Sequence, residues 1–287
     1  MTAAAITGDR DRKVKACLIT GAAGDIGRRL RRLMKGLYPA FVLTDRVAPT
    51  DLEPGEDFRV ADLADAAAVE RTLQGIDAVV HLGAVSVEGD WESILSANIV
   101  GTYNLFEAAR RQGVARVVFA SSFHTIGFYP RSRRIGTDAL VRPDTRYGMS
   151  KACGEAMAAL YAFKYGMRVL CIRIGNIADK PADLRRLSGW CQPEDLVQLI
   201  RIGLEHPDLR HEVVWGISAN ERAWWDNEAA FRLGYRPLGN AETMRDHALA
   251  GQAALPPDPI GDQFQGGPYA SAEFVGDIGR IRLAPSR

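Results

Sequence analysis

The sequence predicts a doubly wound α/β fold, a parallel sheet with helices on both faces, followed by a small C-terminal lobe. Three observations predict it. Short β-branched apolar runs alternate with amphipathic stretches from residue 14 onward, a glycine turn joins the first run to the first helix, and the alternation breaks after Gly175. Parallel neighbours need crossover connections, and helices commonly supply them.

Taken in order, residues 14–20 read as a strand and 25–36 as a helix. Residues 41–45 and 58–61 read as strands, 64–73 as a helix and 78–82 as a fourth strand. Residues 91–112 form one long helix or two, 117–121 a fifth strand, 147–165 a helix and 168–174 a sixth strand. Past Gly175, Lys180, Pro181 and the tryptophan-containing stretch 187–193 interrupt the rhythm. A helix over 194–204, a strand over 213–215 and loops rich in Gly, Pro and Trp follow. Residues 176–287 are therefore expected to form a lobe over the carboxyl ends of the strands, where open α/β sheets bind ligands. Residues 1–13 combine an alanine run with a charged stretch and are expected to be a disordered extension, not a secretory signal.

Composition narrows the function classes. The chain has 287 residues, 47% hydrophobic and 25% charged, which excludes fibrous and disordered classes. Lys plus Arg number 36 against 35 Asp plus Glu, so a net charge of +1 gives no global field for nucleic acid or an anionic membrane. Neither is expected as a partner. No apolar run approaches the ~18 residues of a spanning helix. The four cysteines lack a CxxC pair or metal-ligand spacing, which fits reduced thiols in the cytoplasm and no metal site.

The first strand runs into Thr20-Gly21-Ala22-Ala23-Gly24-Asp25-Ile26-Gly27, a glycine turn that opens a helix. Missing side chains admit a pyrophosphate, and the helix start offers unpaired N–H groups and partial positive charge. Placed between a strand and a helix, Gly21, Gly24, Asp25 and Gly27 point to a dinucleotide site within residues 14–175. Asp45 lies 18 residues past Gly27, where a carboxylate accepts from the adenosine ribose hydroxyls and repels a 2′-phosphate. This favours NAD over NADP, although Arg46 beside it can receive a phosphate. Asp62, after the third strand, either meets the adenine edge or caps the next helix.

At the other end, the fifth strand finishes in Ser121-Ser122, and a later helix begins with Tyr147-Gly-Met-Ser-Lys151. Residues four apart share a helix face, so Tyr147 and Lys151 can meet one ligand. A nearby ammonium and a cationic cofactor ring would lower the phenol's pKa. Tyr147 would then act as base, with Ser122 hydrogen-bonding the same oxygen.

A glycine turn, strand-end serines and YxxxK in this order resemble the short-chain dehydrogenase/reductase superfamily, and the TGxxGxxG spacing resembles its extended, NAD-dependent epimerase/dehydratase-like branch. The stretch from Asn98 to Ala109 is similar to that branch, in which the asparagine helps order the active site. Longer segments resemble the NAD-dependent uronate dehydrogenases: residues 81–88, 119–130, 142–144, 147–151 and 173–175, then Val213-Val-Trp215, Trp224-Trp-Asp-Asn227 and Phe264-Gln-Gly-Gly267. That family oxidises C1 of glucuronate or galacturonate to an aldarolactone. The resemblance implies cofactor contacts at Ile26, Leu63, Leu82 and Asn98 besides those above. It also implies a carboxylate clamp at Arg185, and sugar contacts at Ser86, Ser122 and His124. Two positions depart from the pattern, Phe123 where the family has an asparagine and Asn176 where it has a serine. A phenyl ring cannot replace an amide's hydrogen bonds, so substrate preference is open to change. The superfamily implies a homo-oligomer and a small sugar acid as partner. On residues alone, Arg185 also reads as a solvated charge beside Arg186, and His124 as a structural histidine. A nucleotide-sugar epimerase or dehydratase, or a non-catalytic NAD sensor, remains the alternative. The first of these commonly carries a larger C-terminal lobe than the 112 residues after Gly175.

Overall fold

The computed structural model of the chain describes residues 13–283, so the expected N-terminal extension lies, apart from Lys13, outside the described residues. Seven strands form one parallel sheet: β1 (Ala16–Thr20), β2 (Ala40–Asp45), β3 (Asp57–Val60), β4 (Ala78–His81), β5 (Arg116–Ser122), β6 (Arg168–Ile174) and, after the short pair β7 (Asn176–Ile177) and β8 (Trp190–Cys191), β9 (His211–Gly216). Their order is β3-β2-β1-β4-β5-β6-β9. The chain builds outward from β1 to β3, returns to the other side of β1 at β4, and builds outward again. That reversal opens a crevice at the carboxyl ends of β1 and β4.

The helices are α1 (Asp25–Leu33), α2 (Ala66–Thr72), α3 (Trp91–Ser93), α4 (Gly101–Arg111), α5 (Arg146–Tyr165), α6 (Arg186–Gly189), α7 (Pro193–Glu205), α8 (Glu228–Arg232), α9 (Arg245–Ala253), α10 (Pro268–Ser271) and α11 (Ile278–Leu283). The sheet is buried on both faces, as parallel strands require, and every residue of β5 and β6 is buried. One apolar layer joins Leu30 of α1 and Leu199 of α7 to Ile19 and Leu170; the opposite layer joins Val69 of α2, Leu105 of α4 and Tyr161 of α5 to Leu18 and Val169. The stretch read as one helix or two is continuous, with α3 and α4 joined by a π-helical segment over Ile94–Val100. No helix among the described residues is long and apolar enough to cross a membrane.

The expected boundary at Gly175 does not coincide with the end of the sheet. β9 pairs in parallel with β6 from Val169↔His211 to Ile174↔Gly216, and α7 is its crossover helix. The rhythm that breaks in the sequence is only interrupted, by an excursion over residues 176–192 between β6 and α7. Two further apolar clusters cap the carboxyl ends of the strands. One contains Phe123, Trp215 and Trp225, the other Leu187, Trp190 and Ala248.

Candidate active site

The glycine turn is shaped by close approach. A Cβ on Gly27 would lie 2.3 Å from the Gly21 carbonyl oxygen, so α1 can start this near the turn only without a side chain there. Asp45 at the end of β2 secures the same turn: its Oδ2 accepts from the Ala23 N–H at 3.0 Å and its Oδ1 from the Arg46 N–H at 2.7 Å. Carboxylate lone pairs remain for further donors. Asp62 accepts from the Ala64 N–H at 2.9 Å in a local turn, while Asp65 is the residue that caps α2.

At the other end, α5 is capped by Thr145, whose hydroxyl accepts from the Gly148 N–H at 2.9 Å. Gly148 lets the helix start press against the turn after β5, since a Cβ there would come 2.2 Å from the His124 carbonyl oxygen. This contact brings Tyr147 beside Ser122 and His124. Lys151, one turn on, donates from Nζ to the Ala120 carbonyl at 2.8 Å and lies 5.7 Å from the centre of the Tyr147 ring.

Electrostatically, the pair differs from expectation. Burial pushes the Tyr147 phenol up to about 12, hydrogen bonding with Ser122 draws it down, and the charges of Tyr269 and Asp144 raise it. Burial also pushes the Lys151 ammonium down to about 8. In the protein alone burial is the largest influence on the phenol and holds it above its ordinary range.

One cavity of about 1090 Å³ runs from the glycine turn to the tyrosine. Gly21, Gly24, Asp25, Ile26, Gly27, Asp45, Asp62, Leu63 and Leu82 line one end; Ser86, Ser122, Phe123, His124, Tyr147, Lys151, Asn176 and Arg185 line the other. Asn98 is the exception among the expected site residues. It is buried beneath the wall, where its Oδ1 accepts from the Val85 N–H at 2.8 Å and its Nδ2 donates to the Val85 carbonyl and the Ser150 hydroxyl, each at 3.0 Å. The π turn carries it there, so it positions the loop after β4 rather than reaching the cavity.

The residues around the tyrosine end are held in distinct ways. His124 is buried and its Nδ1 pairs with Asp144 Oδ2 at 2.8 Å. Phe123 packs against Trp225, with ring centroids 5.4 Å apart. Arg185 lies with its guanidinium carbon 5.8 Å from the centre of the Phe123 ring, and it donates weakly to the Gln265 carbonyl at 3.4 Å. Burial pushes it down to about 10. Arg173 is paired with Glu155 at 2.9 Å and Arg31 with Asp51 at 2.8 Å, whereas the half-buried Arg185 makes no salt bridge among the described residues. Asn176 Oδ1 is buried with no hydrogen-bond partner. Sequence reasoning missed Asp144 as the partner of His124, and Tyr269, which lines the cavity beside His124.

The residues present fit a nicotinamide dinucleotide. The turn at Gly27 has no room for a Cβ, Asp45 stands beside it, and an unpartnered amide oxygen at Asn176 awaits a donor. Fold and cavity define a dinucleotide-binding protein of the Rossmann class. The chain belongs to the NAD dependent epimerase/dehydratase family, whose sequence profile matches residues 17–181. It is 45% identical to the uronate dehydrogenase of Pseudomonas putida over 89% of this chain and 95% of that protein. It also superposes on the glucuronic acid dehydrogenase of Chromohalobacter salexigens with a TM-score of 0.86, at 41% identity over 90% of this chain and 97% of the other. A mutant uronate dehydrogenase from Agrobacterium tumefaciens, complexed with NAD, gives a TM-score of 0.85 at 43% identity over 89% and 97%.

Proposed function

We propose that this protein oxidises a uronic acid of the glucuronate or galacturonate type at C1, with NAD as oxidant and an aldarolactone as product. The observation that carries this reading is Arg185, a half-buried guanidinium that lines the same cavity as Tyr147 and makes no salt bridge among the described residues. A partly desolvated cation without a carboxylate in contact is costly, and a substrate carboxylate in bidentate contact offsets that cost. The relatives named for uronate or glucuronic acid oxidation support the same substrate class.

When bound, NAD supplies the hydride acceptor for the C1 hydrogen. Arg185 receives the carboxylate and thereby fixes which end of the sugar enters. Ser122 hydrogen-bonds the C1 hydroxyl oxygen, and Tyr147 Oη takes its proton once the local charge makes the phenolate accessible. Loss of the hydride from C1 and of the proton from its hydroxyl turns the hemiacetal into a C1=O carbonyl beside the ring oxygen, which is a lactone. Lys151, anchored on the Ala120 carbonyl, adds positive charge beside the phenol. Ser86 and His124 border the sugar, and Asn176 Oδ1 accepts a hydrogen bond from a bound ligand. Asp45 sets the preference for NAD.

Mixing the protein with NAD and glucuronate, galacturonate, the matching neutral aldoses or nucleotide sugars tests the reading. Net NADH at 340 nm with the free uronates alone is expected. Nucleotide-sugar conversion without net NADH would replace it with epimerase chemistry, and NAD binding with no turnover would make the protein a sensor.

A further inference from the structure

Tyr269 belongs to α10 in the C-terminal segment, far in sequence from Ser122, His124 and Tyr147. It stands between two cavities. On one side is the large cavity of the catalytic tyrosine; on the other is a second one of about 540 Å³, bounded also by Phe128, Phe274 and Arg146. An aromatic residue that stabilised the fold would have packed neighbours on both faces. The Tyr269 ring instead meets His124, with centroids 4.3 Å apart, and is half-buried. Its hydroxyl has no hydrogen-bond partner among the described residues.

The backbone that carries it is braced on both sides. Gln265 Oε1 accepts from the Trp225 indole at 2.7 Å, and its Nε2 donates to the carbonyls of Pro130 and Arg133 at 3.1 and 2.8 Å. Beyond the tyrosine, the Ser271 hydroxyl donates to Asp258 at 2.7 Å, and Glu273 pairs with Arg146 at 3.0 Å. A phenol on so fixed a support, facing the cavity without a partner, is arranged for a ligand. Phe123, His124 and Tyr269 make a row of rings, with Phe123 and His124 centred 4.0 Å apart. The first ring offers no hydrogen bond and His124 Nδ1 is engaged by Asp144, which leaves its Nε2 for a ligand, so the Tyr269 hydroxyl adds a second donor and acceptor to this row.

We infer that Tyr269 is a substrate-binding residue, its ring walling the sugar pocket beside His124 and its hydroxyl hydrogen-bonding a ring hydroxyl of the sugar acid. The inference rests on the proposed oxidation of a uronate and adds to it a specificity contact from the C-terminal segment.

Steady-state kinetics on the full chain and on the Tyr269→Phe and Tyr269→Ala variants, with thermal melting alongside, tests it. Tyr269→Phe is expected to raise the uronate KM about tenfold, with kcat within about threefold and the KM for NAD unchanged, the signature of a lost uniform-binding hydrogen bond. Tyr269→Ala, which also opens the wall, is expected to raise that KM further. A uronate KM within about twofold of wild type in Tyr269→Phe overturns the inference and leaves the proposed function standing. So does a variant that loses kcat and melting temperature while KM stays put. A wild-type protein that forms no NADH from uronates overturns both.

Discussion

The two ends of the cavity are built by opposite strategies. The end at the glycine turn is built mostly from one local segment: the turn, the start of α1 and the end of β2 lie within residues 20–46 and are tied by the Ala23–Asp45 hydrogen bond, with Asp62, Leu63 and Leu82 completing the wall. The substrate end is made of side chains from five separated places: the loop after β4, the end of β5, the start of α5, the excursion of residues 176–192 and the C-terminal segment. Backbone donors recognise what all dinucleotides share and leave little to vary. Side chains on separate supports can be exchanged one at a time, which is how one scaffold comes to serve many substrates. Phe123 and Asn176 fall in the second half.

The sharpest way to break this comparison is at the chemistry itself. Tyr147→Phe is expected to lower kcat by about 10²- to 10⁴-fold while NAD binding, measured by titration calorimetry, is retained. Turnover near wild type removes the base assignment. At the substrate end, Arg185→Ala should lower kcat/KM for uronates by roughly 10- to 100-fold and spare neutral aldoses. Equal losses on both would discredit the carboxylate clamp. At the cofactor end, Gly27→Ala forces a Cβ to within 2.3 Å of the Gly21 oxygen, and the KM for NAD should rise about tenfold or more with the uronate KM unchanged. Should the uronate KM move instead, the two ends are not separable.

Phe123→Asn sharpens the comparison on a smaller scale. The amide restores hydrogen-bonding capacity next to the sugar, and kcat/KM for glucuronate or galacturonate should rise a few-fold. The variant also removes a ring from the Trp225 cluster, so its melting temperature should fall. Unchanged kinetics would make the substitution neutral for function.

The smallest effect concerns acid stability. His81, between the two ends, is buried with its nitrogens near the hydroxyls of Thr20 (2.8 Å) and Thr102 (3.3 Å). Burial, with a further contribution from Lys151, pushes it from 6.5 down to about 3. Between those values the unfolded chain binds the extra proton, so the histidine's stabilising contribution is intact above pH 6.5 and is lost as pH falls toward 3. A melting temperature that stays flat over that window would show His81 to be protonated in the fold or accessible to water.

What the sequence determined by itself is the part encoded by local rules. The strand–glycine–helix order places the phosphate turn because the backbone conformation of Gly21 to Gly27 is set within that segment. The spacing of Tyr147 and Lys151 places both on one face because a helix repeats every 3.6 residues. Tertiary structure alone decided what depends on distant chain meeting in space. β9 joins the sheet because a short apolar strand declares its burial but not its neighbour. Asn98 leaves the cavity for Val85 because a π turn has no local sequence signature. Arg185 makes no salt bridge among the described residues and the Tyr147 phenol is pushed up because contacts and solvent exclusion are properties of everything packed around a group. Tyr269, announced only by Gly266-Gly267-Pro268 before it, reaches the cavity because the C-terminal segment is braced across residues 127–133.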